Sequence, residues 1–495
     1  MKRSKFSLSN TKLLSCDMGE LVPIGISEVL AGDSIQQATS ALVRAAPLLS
    51  PVMHPVNVSI HHWFVPHRII WEDWENFITG GPDGLDASVF PTITAGGGGF
   101  AIGSLADYLG CPTGVASLEV SALPFRAYAL IYNEWYRDQD LVSKLTVDIT
   151  SGPDTTTNTT LQTGMWEKDY FTTARPWEQK GPAITVPLGT EAPVFGIGLG
   201  NAAAVNTADV TVKDVGGTGV TYADSYNSGT HSIYIDANAG ASPNLPNIYA
   251  DLTDASAITV TALREALALQ RYEEARARYG SRYTEYLAYL GVKSSDARLQ
   301  RPEYLGGGKG VIQFSEVLQT AEGSDPVGEM RGHGISATRS NRFRRFFEEH
   351  GYVLTLMVVR PKTIYANGLF RHWNRRTKED FWQKELQFIG QQEVLNKELY
   401  AAHATPNGVF GYQDRYDEYR RQESSIAGEF RDTTLNFWHM ARIFASDPAL
   451  NADFVKCVPT ERTFASSSND VLYVMAKHRI QARRLVAAVG KSFIY

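Results

Sequence analysis

The stretch GYVLTLMVVRPKTIY, Gly351–Tyr365, is apolar from Tyr352 to Val359 with Thr355 as its one polar member. Successive side chains of a strand point to opposite faces, so a run of this kind predicts a strand covered on both sides. Working outward, ELVPIGISEVL (Glu20–Leu30), SALVRAAPLL (Ser40–Leu49) and HPVNVSIHHWFVPHRII (His54–Ile70) are rich in β-branched and aromatic residues punctuated by Gly, Pro or Asp. They read as further strands. So do VIQFSEVLQT (Val311–Thr320) and SNDVLYVMAKHRIQARRL (Ser468–Leu485), the latter carrying its pattern through Val471, Tyr473 and Met475 into a basic tail. Helices are expected between them, at Glu72–Thr79, Leu123–Asp138 and Thr261–Gly280. Strands this far apart, with long interruptions, point to a mainly β jelly roll with enlarged loops rather than alternating βα units.

The segment from Gly181 to Val260 differs from its surroundings. It carries seven acids (Glu191, Asp209, Asp214, Asp224, Asp236, Asp251, Asp254) against one base, Lys213, a charge of −6 that equals the net charge of the whole chain. Short alternating pieces, DVTVKDV and SIYIDAN, lie among its Gly, Ala, Thr and Asn residues. They predict a β-rich surface insertion over 181–260, the alternative being a flexible linker. The rest of the chain is near neutral, with basic ends. Lys2, Arg3, Lys5 and Lys12 open it, and KHRIQARRLVAAVGK (Lys477–Lys491) holds no acid.

Several functions lose support. The 495 residues are 43% hydrophobic and 20% charged, the profile of a chain with a large core. No apolar run approaches the roughly 18 residues of a membrane span, and MKRSKFSLSNTKLL lacks the apolar stretch of a secretory signal. Cys16, Cys111 and Cys457 lie far apart and form no CxxC pair, which suits a reducing cytoplasm and speaks against disulfides or a zinc module. Among His54, His61, His62 and His67, the adjacent pair should face opposite sides of a strand, so no metal and no cofactor is expected. GGGKG at Gly306–Gly310 does not fit the spacing of a phosphate-binding loop and reads as a hinge or tight turn. With no GxSxG elbow or convincing carboxylate pair, the chain is not expected to be an enzyme.

Aromatic residues mixed with charges in MWEKDYF (Met165–Phe171) and GYQDRYDEYRRQES (Gly411–Ser424) are the composition of protein interfaces. Trp63, Trp71, Trp74, Tyr412 and Tyr416 are the candidate subunit contacts.

The block MHPVNVSIHHWFVPHRIIWEDWENFITGG (Met53–Gly81) resembles the major capsid proteins of microviruses, especially the gokushovirus-like branch. So do Ser15–Asp33, RPEYLGGGKGVIQFSEVLQT (Arg301–Thr320), GEMRGHGIS (Gly328–Ser336) and GYQDRYDEYR (Gly411–Arg420), in the expected order. The resemblance implies a single domain built on an eight-stranded antiparallel jelly roll with very large loops. It implies a homo-oligomeric icosahedral shell around circular single-stranded DNA, assembled in the bacterial host's cytoplasm and found in the virion. Other virion proteins (a small basic DNA-binding protein and a pilot protein), an internal scaffolding protein and a host surface receptor are implied partners. The acidic segment would be the family's protruding insertion, with Tyr222, Tyr226 and Tyr234 as candidate host contacts. Arg479, Arg483, Arg484, Lys491, Lys2, Arg3 and Lys5 are the candidate DNA contacts. A carbohydrate-binding or glycoside-cleaving β-sandwich, or a phage receptor-binding component, would be the alternatives.

Overall fold

The computed structural model describes residues 3–182, 184, 194–195, 198–199, 212–213, 224–227, 232–235, 249–250, 260–279, 283–292, 299–321, 323 and 326–488. They fall into two units, Met1–Glu178 with Ala277–Tyr495, and Gln179–Arg276. In the second unit, strands Asp224–Asn227 and Ser232–Ile235 pair antiparallel, and shorter pairs join Val212–Lys213 to Gly198–Leu199 and Tyr249–Ala250 to Val194–Phe195.

The first unit is organised by one curled antiparallel sheet. Its strands are β1 (Ser4–Ser7), β2 (Asn10–Cys16), β3 (Val22–Val29), β4 (Ser34–Ala45), β5 (Val56–Pro66), β6 (Glu303–Leu318), β7 (Met330–Arg339), β8 (Phe343–Phe346), β9 (Gly351–Pro361) and β10 (Leu472–Arg484). The order is β1-β10-β4-β7-β6-β5-β9-β3, with β2 also on β10 and β8 also on β4. Long β6 divides this path: its residues through Ile312 pair β5, and those from Gln313 pair β7. Two leaves result, β3-β9-β5-β6 and β7-β4-β10-β1/β2, which fold over one another as a jelly roll.

The residues facing inward explain the sequence pattern. Val22, Ile24, Val56, Val58, Ile60, Met357 and Val359 of the first leaf meet Ala41, Val43, Leu472, Val474 and Ala476 of the second. On β9 the alternate residues Leu354, Leu356 and Val358 face the other way. With Trp63 and Val65 of β5 they pack beneath helices α1 (Leu105–Leu109) and α2 (Leu123–Ile131), through Leu105, Leu123, Phe125 and Tyr128. Both central strands of the first leaf are therefore buried on both faces, β9 with a nearly continuous apolar run and β5 with Ser59 and His62 buried among its apolar residues. By contrast β10 alternates buried and exposed along nearly its whole length. Its inward residues are Leu472, Val474, Ala476, His478, Ile480 and Ala482, so Tyr473 and Met475 face solvent.

GGGKG is not a hinge. It lies inside β6, where a Cβ on Gly308 would meet Arg339 O at 2.4 Å and one on Gly310 would meet Thr338 Oγ1 at 2.1 Å. Only glycine lets β6 lie this close to β7 as it crosses between leaves.

Polar bolts also join the leaves. Gln37 Nε2 of β4 donates to Thr355 Oγ1 of β9 at 3.0 Å, and the same hydroxyl lies 2.9 Å from His62 Nδ1. His62 Nε2 lies 2.9 Å from Ser340 Oγ. His478 Nε2 donates to Ile24 O at 2.9 Å and its Nδ1 lies 2.8 Å from Thr39 Oγ1. Burial, with His478 and His61 close by, pushes His62 down to about 3, and burial pushes His54, His61 and His67 down to about 4. His61 and His62 do face opposite sides, His61 meeting Tyr136 OH at 2.7 Å. Among the described residues no cluster of His, Cys, Asp and Glu could hold a metal ion.

On α2, Arg126 is fully buried and pairs with Asp154 at 2.8 Å, its other nitrogens donating to Ile70 O and Thr150 O. Burial by itself would raise the Asp154 carboxyl, but the Thr157 hydroxyl and amide and the Arg126 guanidinium hold it below the usual carboxylate range.

Arg126→Met leaves Asp154 charged, buried and unmatched. The expected loss is about 3–5 kcal/mol in denaturant unfolding, and a change near zero would show that the pair is dispensable. A second expectation concerns acid. The folded chain keeps its buried histidines neutral, while the unfolded chain binds protons below about 6.5. Stability is then full above pH 6.5 and falls as the pH drops toward 4. A flat melting temperature across that window would contradict this, and His62→Gln should shallow the slope.

Candidate nucleic-acid interface

The outward face of the first leaf is covered by the helices and loops of its own chain. Among the described residues no helix or loop covers the outward face of the second leaf, and strand register places its side chains in rows. Lys5 lies opposite Arg483, which lies opposite Ser34; Gln481 lies opposite Gln36, and Gln36 opposite Arg344. Arg479 lies opposite Ala38, and the next row reads Thr11, Lys477, Ser40, Arg339. Then come Leu13, Met475, Leu42, Ala337, and finally Ser15, Tyr473, Arg44, Ile335.

The rows just named present seven cations, Lys5, Arg44, Arg339, Arg344, Lys477, Arg479 and Arg483, all exposed. Across the rows just named there is no carboxylate. Seven charges of one sign on a two-layer wall create a strong local positive field. At one end, Lys5, Arg344 and Arg483 line a cavity of about 110 Å³ with Ser34, Gln36 and Gln481, and all six side chains carry a hydrogen-bond donor. Arg3 sits beside it, donating to Ser34 Oγ at 3.1 Å with its guanidinium 4.8 Å from the centre of the Phe346 ring.

The predicted DNA contacts thus separate. Arg3, Lys5, Arg479 and Arg483 gather on this face, while Lys2 and Lys491 lie outside the described residues. Arg484 turns instead to the fully buried Asp33, 3.0 Å away. Lys12 is likewise turned inward, donating to Pro23 O at 3.0 Å, and burial lowers its amine to about 8. Arg44, Arg339 and Arg344 were missed, because only the pairing of β4, β7 and β8 brings them beside the tail.

The candidate subunit contacts divide by burial. Trp71 is fully buried, its indole donating to Ser151 Oγ at 2.8 Å. Trp63 is buried against Trp135 and Tyr304, and Tyr416 is buried with its amide donating to Gln392 Oε1 at 3.1 Å. These three belong to the chain's own core. Trp74 is half-buried against His67, and Tyr412 is half-buried in a backbone bridge to Arg175. Among the described residues, the rings more than half exposed are Trp373 (62%), Phe381, Trp382 and Phe388 (84%), in a segment of short 3-10 turns with no strand or helix period to draw attention to it. Of the candidate host contacts, Tyr226 and Tyr234 lie on the paired strands of the second unit, and Tyr222 is outside the described residues.

No helix among the described residues is long and apolar enough to cross a membrane. Residues 1–493 match the family described as capsid protein (F protein). The chain is 38% identical to capsid protein VP1 of Bdellovibrio phage phiMH2K, over 94% of this chain and 90% of that protein. It is 32% identical to capsid protein VP1 of Chlamydia phage 1 (94% and 91%) and 32% identical to that of Spiroplasma virus 4 (94% and 90%). A jelly roll matched end to end by capsid proteins leaves one assignment: the chain belongs to the microvirus capsid protein family, on its gokushovirus-like branch, and is a structural protein of the virion rather than an enzyme.

Proposed function

We propose that the self-assembling shell formed by this chain encloses single-stranded DNA, and that the bare leaf β7-β4-β10-β1/β2 is its lumenal wall. The observation that carries this reading is the array of seven exposed cations in rows without a carboxylate. Such a surface neutralises phosphates without reading sequence. The covered leaf, with its loops and helices, faces outward. The acidic segment 181–260 is repelled by packaged phosphate and meets the host surface, with Tyr222, Tyr226 and Tyr234 as contacts. Neighbouring copies bury the exposed rings of Trp373, Phe381, Trp382 and Phe388. A small basic DNA-binding protein, a pilot protein and a scaffolding protein join the particle during assembly in the bacterial cytoplasm.

The test is charge reversal on the wall. Arg344→Glu, Arg479→Glu and Arg483→Glu together should leave shell formation intact and sharply reduce DNA per particle. For the free chain binding an oligonucleotide, each lost contact should flatten the dependence of log affinity on log salt by about 0.7. Shells that fail to form, or that fill normally, would overturn the assignment of this face to DNA. Separately, Trp373→Ser with Phe388→Ser should slow assembly while sparing the monomer's melting temperature; unchanged assembly would remove that segment from the subunit contacts.

A further inference from the structure

The lumenal reading leaves one feature of the same leaf unexplained. Between the cation rows lies an open groove of about 450 Å³ lined by Leu13, Leu14, Leu42, Arg44, Tyr473, Val474 and Met475. Leu13 is 76% exposed, and Tyr473 and Met475 are each more than two-fifths exposed. Phosphate neutralisation needs none of these side chains, and apolar groups grouped this way call for a cover.

We infer that the groove is a stacking site for unpaired nucleobases, an inference that rests on the proposed DNA wall and adds to its phosphate contacts a subsite for base faces. Charge decides between occupants. Lys477 follows Met475 by two residues on the same face, roughly 6.8 Å along the strand, and Arg44 lines the other end. No acid stands in these rows to receive a basic peptide, so the occupant is anionic at both ends of an apolar stretch. A nucleic-acid strand has that alternation, phosphates flanking flat apolar rings. In a duplex those ring faces are stacked on one another, whereas a single strand can lay them on Tyr473 and against Leu13, Leu42 and Met475. The groove therefore favours single strands, and sequence-tolerantly, because every base has a π-face.

The experiment uses the full chain with two fluorescent probes of equal length, an oligothymidylate and an abasic oligodeoxynucleotide. Wild type should bind the oligothymidylate about five- to a hundredfold more tightly, the range that one stacked base supplies. Tyr473→Ser with Leu13→Ser should abolish that advantage and leave the abasic probe unchanged, while Tyr473→Trp keeps it. Lys477→Ala should weaken both probes alike. Equal binding of the two probes by wild type, or a preference that survives the double variant, overturns the stacking site and leaves the phosphate wall standing. Failure of wild type to bind either probe overturns the wall itself. Because both residues of the double variant are exposed, folding is checked by an unchanged melting curve, and Tyr473→Ser alone serves if it shifts. In filled particles, ultraviolet cross-linking should join Tyr473 to DNA; a cross-link to a small protein instead would reassign the groove to that partner.

Discussion

Strands Val56–Pro66 and Gly351–Pro361 pair along their full length, in register from Val56 opposite Pro361 to Pro66 opposite Gly351, and are buried on both faces. A strand pair without a solvent face must be roofed twice. The second leaf, with Ala41, Val43, Leu472, Val474 and Ala476, roofs one side, and the chain's own helices and loops roof the other. From this follows the asymmetry of the whole unit. The interruptions between strands supply the second roof, and the leaf β7-β4-β10-β1/β2 keeps an outer face on which no described helix or loop packs. One face of the sandwich is elaborate and the opposite one is bare.

The charge pattern becomes intelligible on that frame. Alternation along β10 sends His478, Ile480 and Ala482 inward and Lys477, Arg479 and Arg483 outward, so the core and the cationic wall are two readings of the same thirteen residues. β4, β7 and β8 then add Arg44, Arg339 and Arg344 from far away in sequence. The inward histidines tie the leaves together while neutral, which couples the integrity of the sandwich to pH as well as to packing.

Much of this was legible beforehand, for physical reasons. Unbroken apolar runs specify strands buried on both sides, and the opposed faces of His61 and His62 follow from the two-residue strand period. What was not legible depends on pairing. Tyr473 and Met475 look like core by hydropathy, yet they occupy the outer phase, fixed only by where Leu472 and Val474 meet β4. Arg484 looks like another tail cation, but one residue of alternation turns it to the buried Asp33. Trp71 and Tyr416 suggested interfaces by composition, and composition cannot distinguish a ring that fills its own chain's core from one that fills a neighbour's pocket. GGGKG suggested a hinge because close backbone approach leaves no mark in sequence except glycine itself.

The central claim is the direction of the sandwich in the shell: bare leaf inward, covered leaf outward. An electron cryomicroscopy reconstruction of the assembled, DNA-filled particle tests it most directly, by showing which radius strand Leu472–Arg484 occupies. The account predicts that this strand lies on the innermost protein layer, with density for nucleic acid against Lys477, Arg479 and Arg483. A strand found on the outer surface, or sealed between neighbouring subunits, would contradict it.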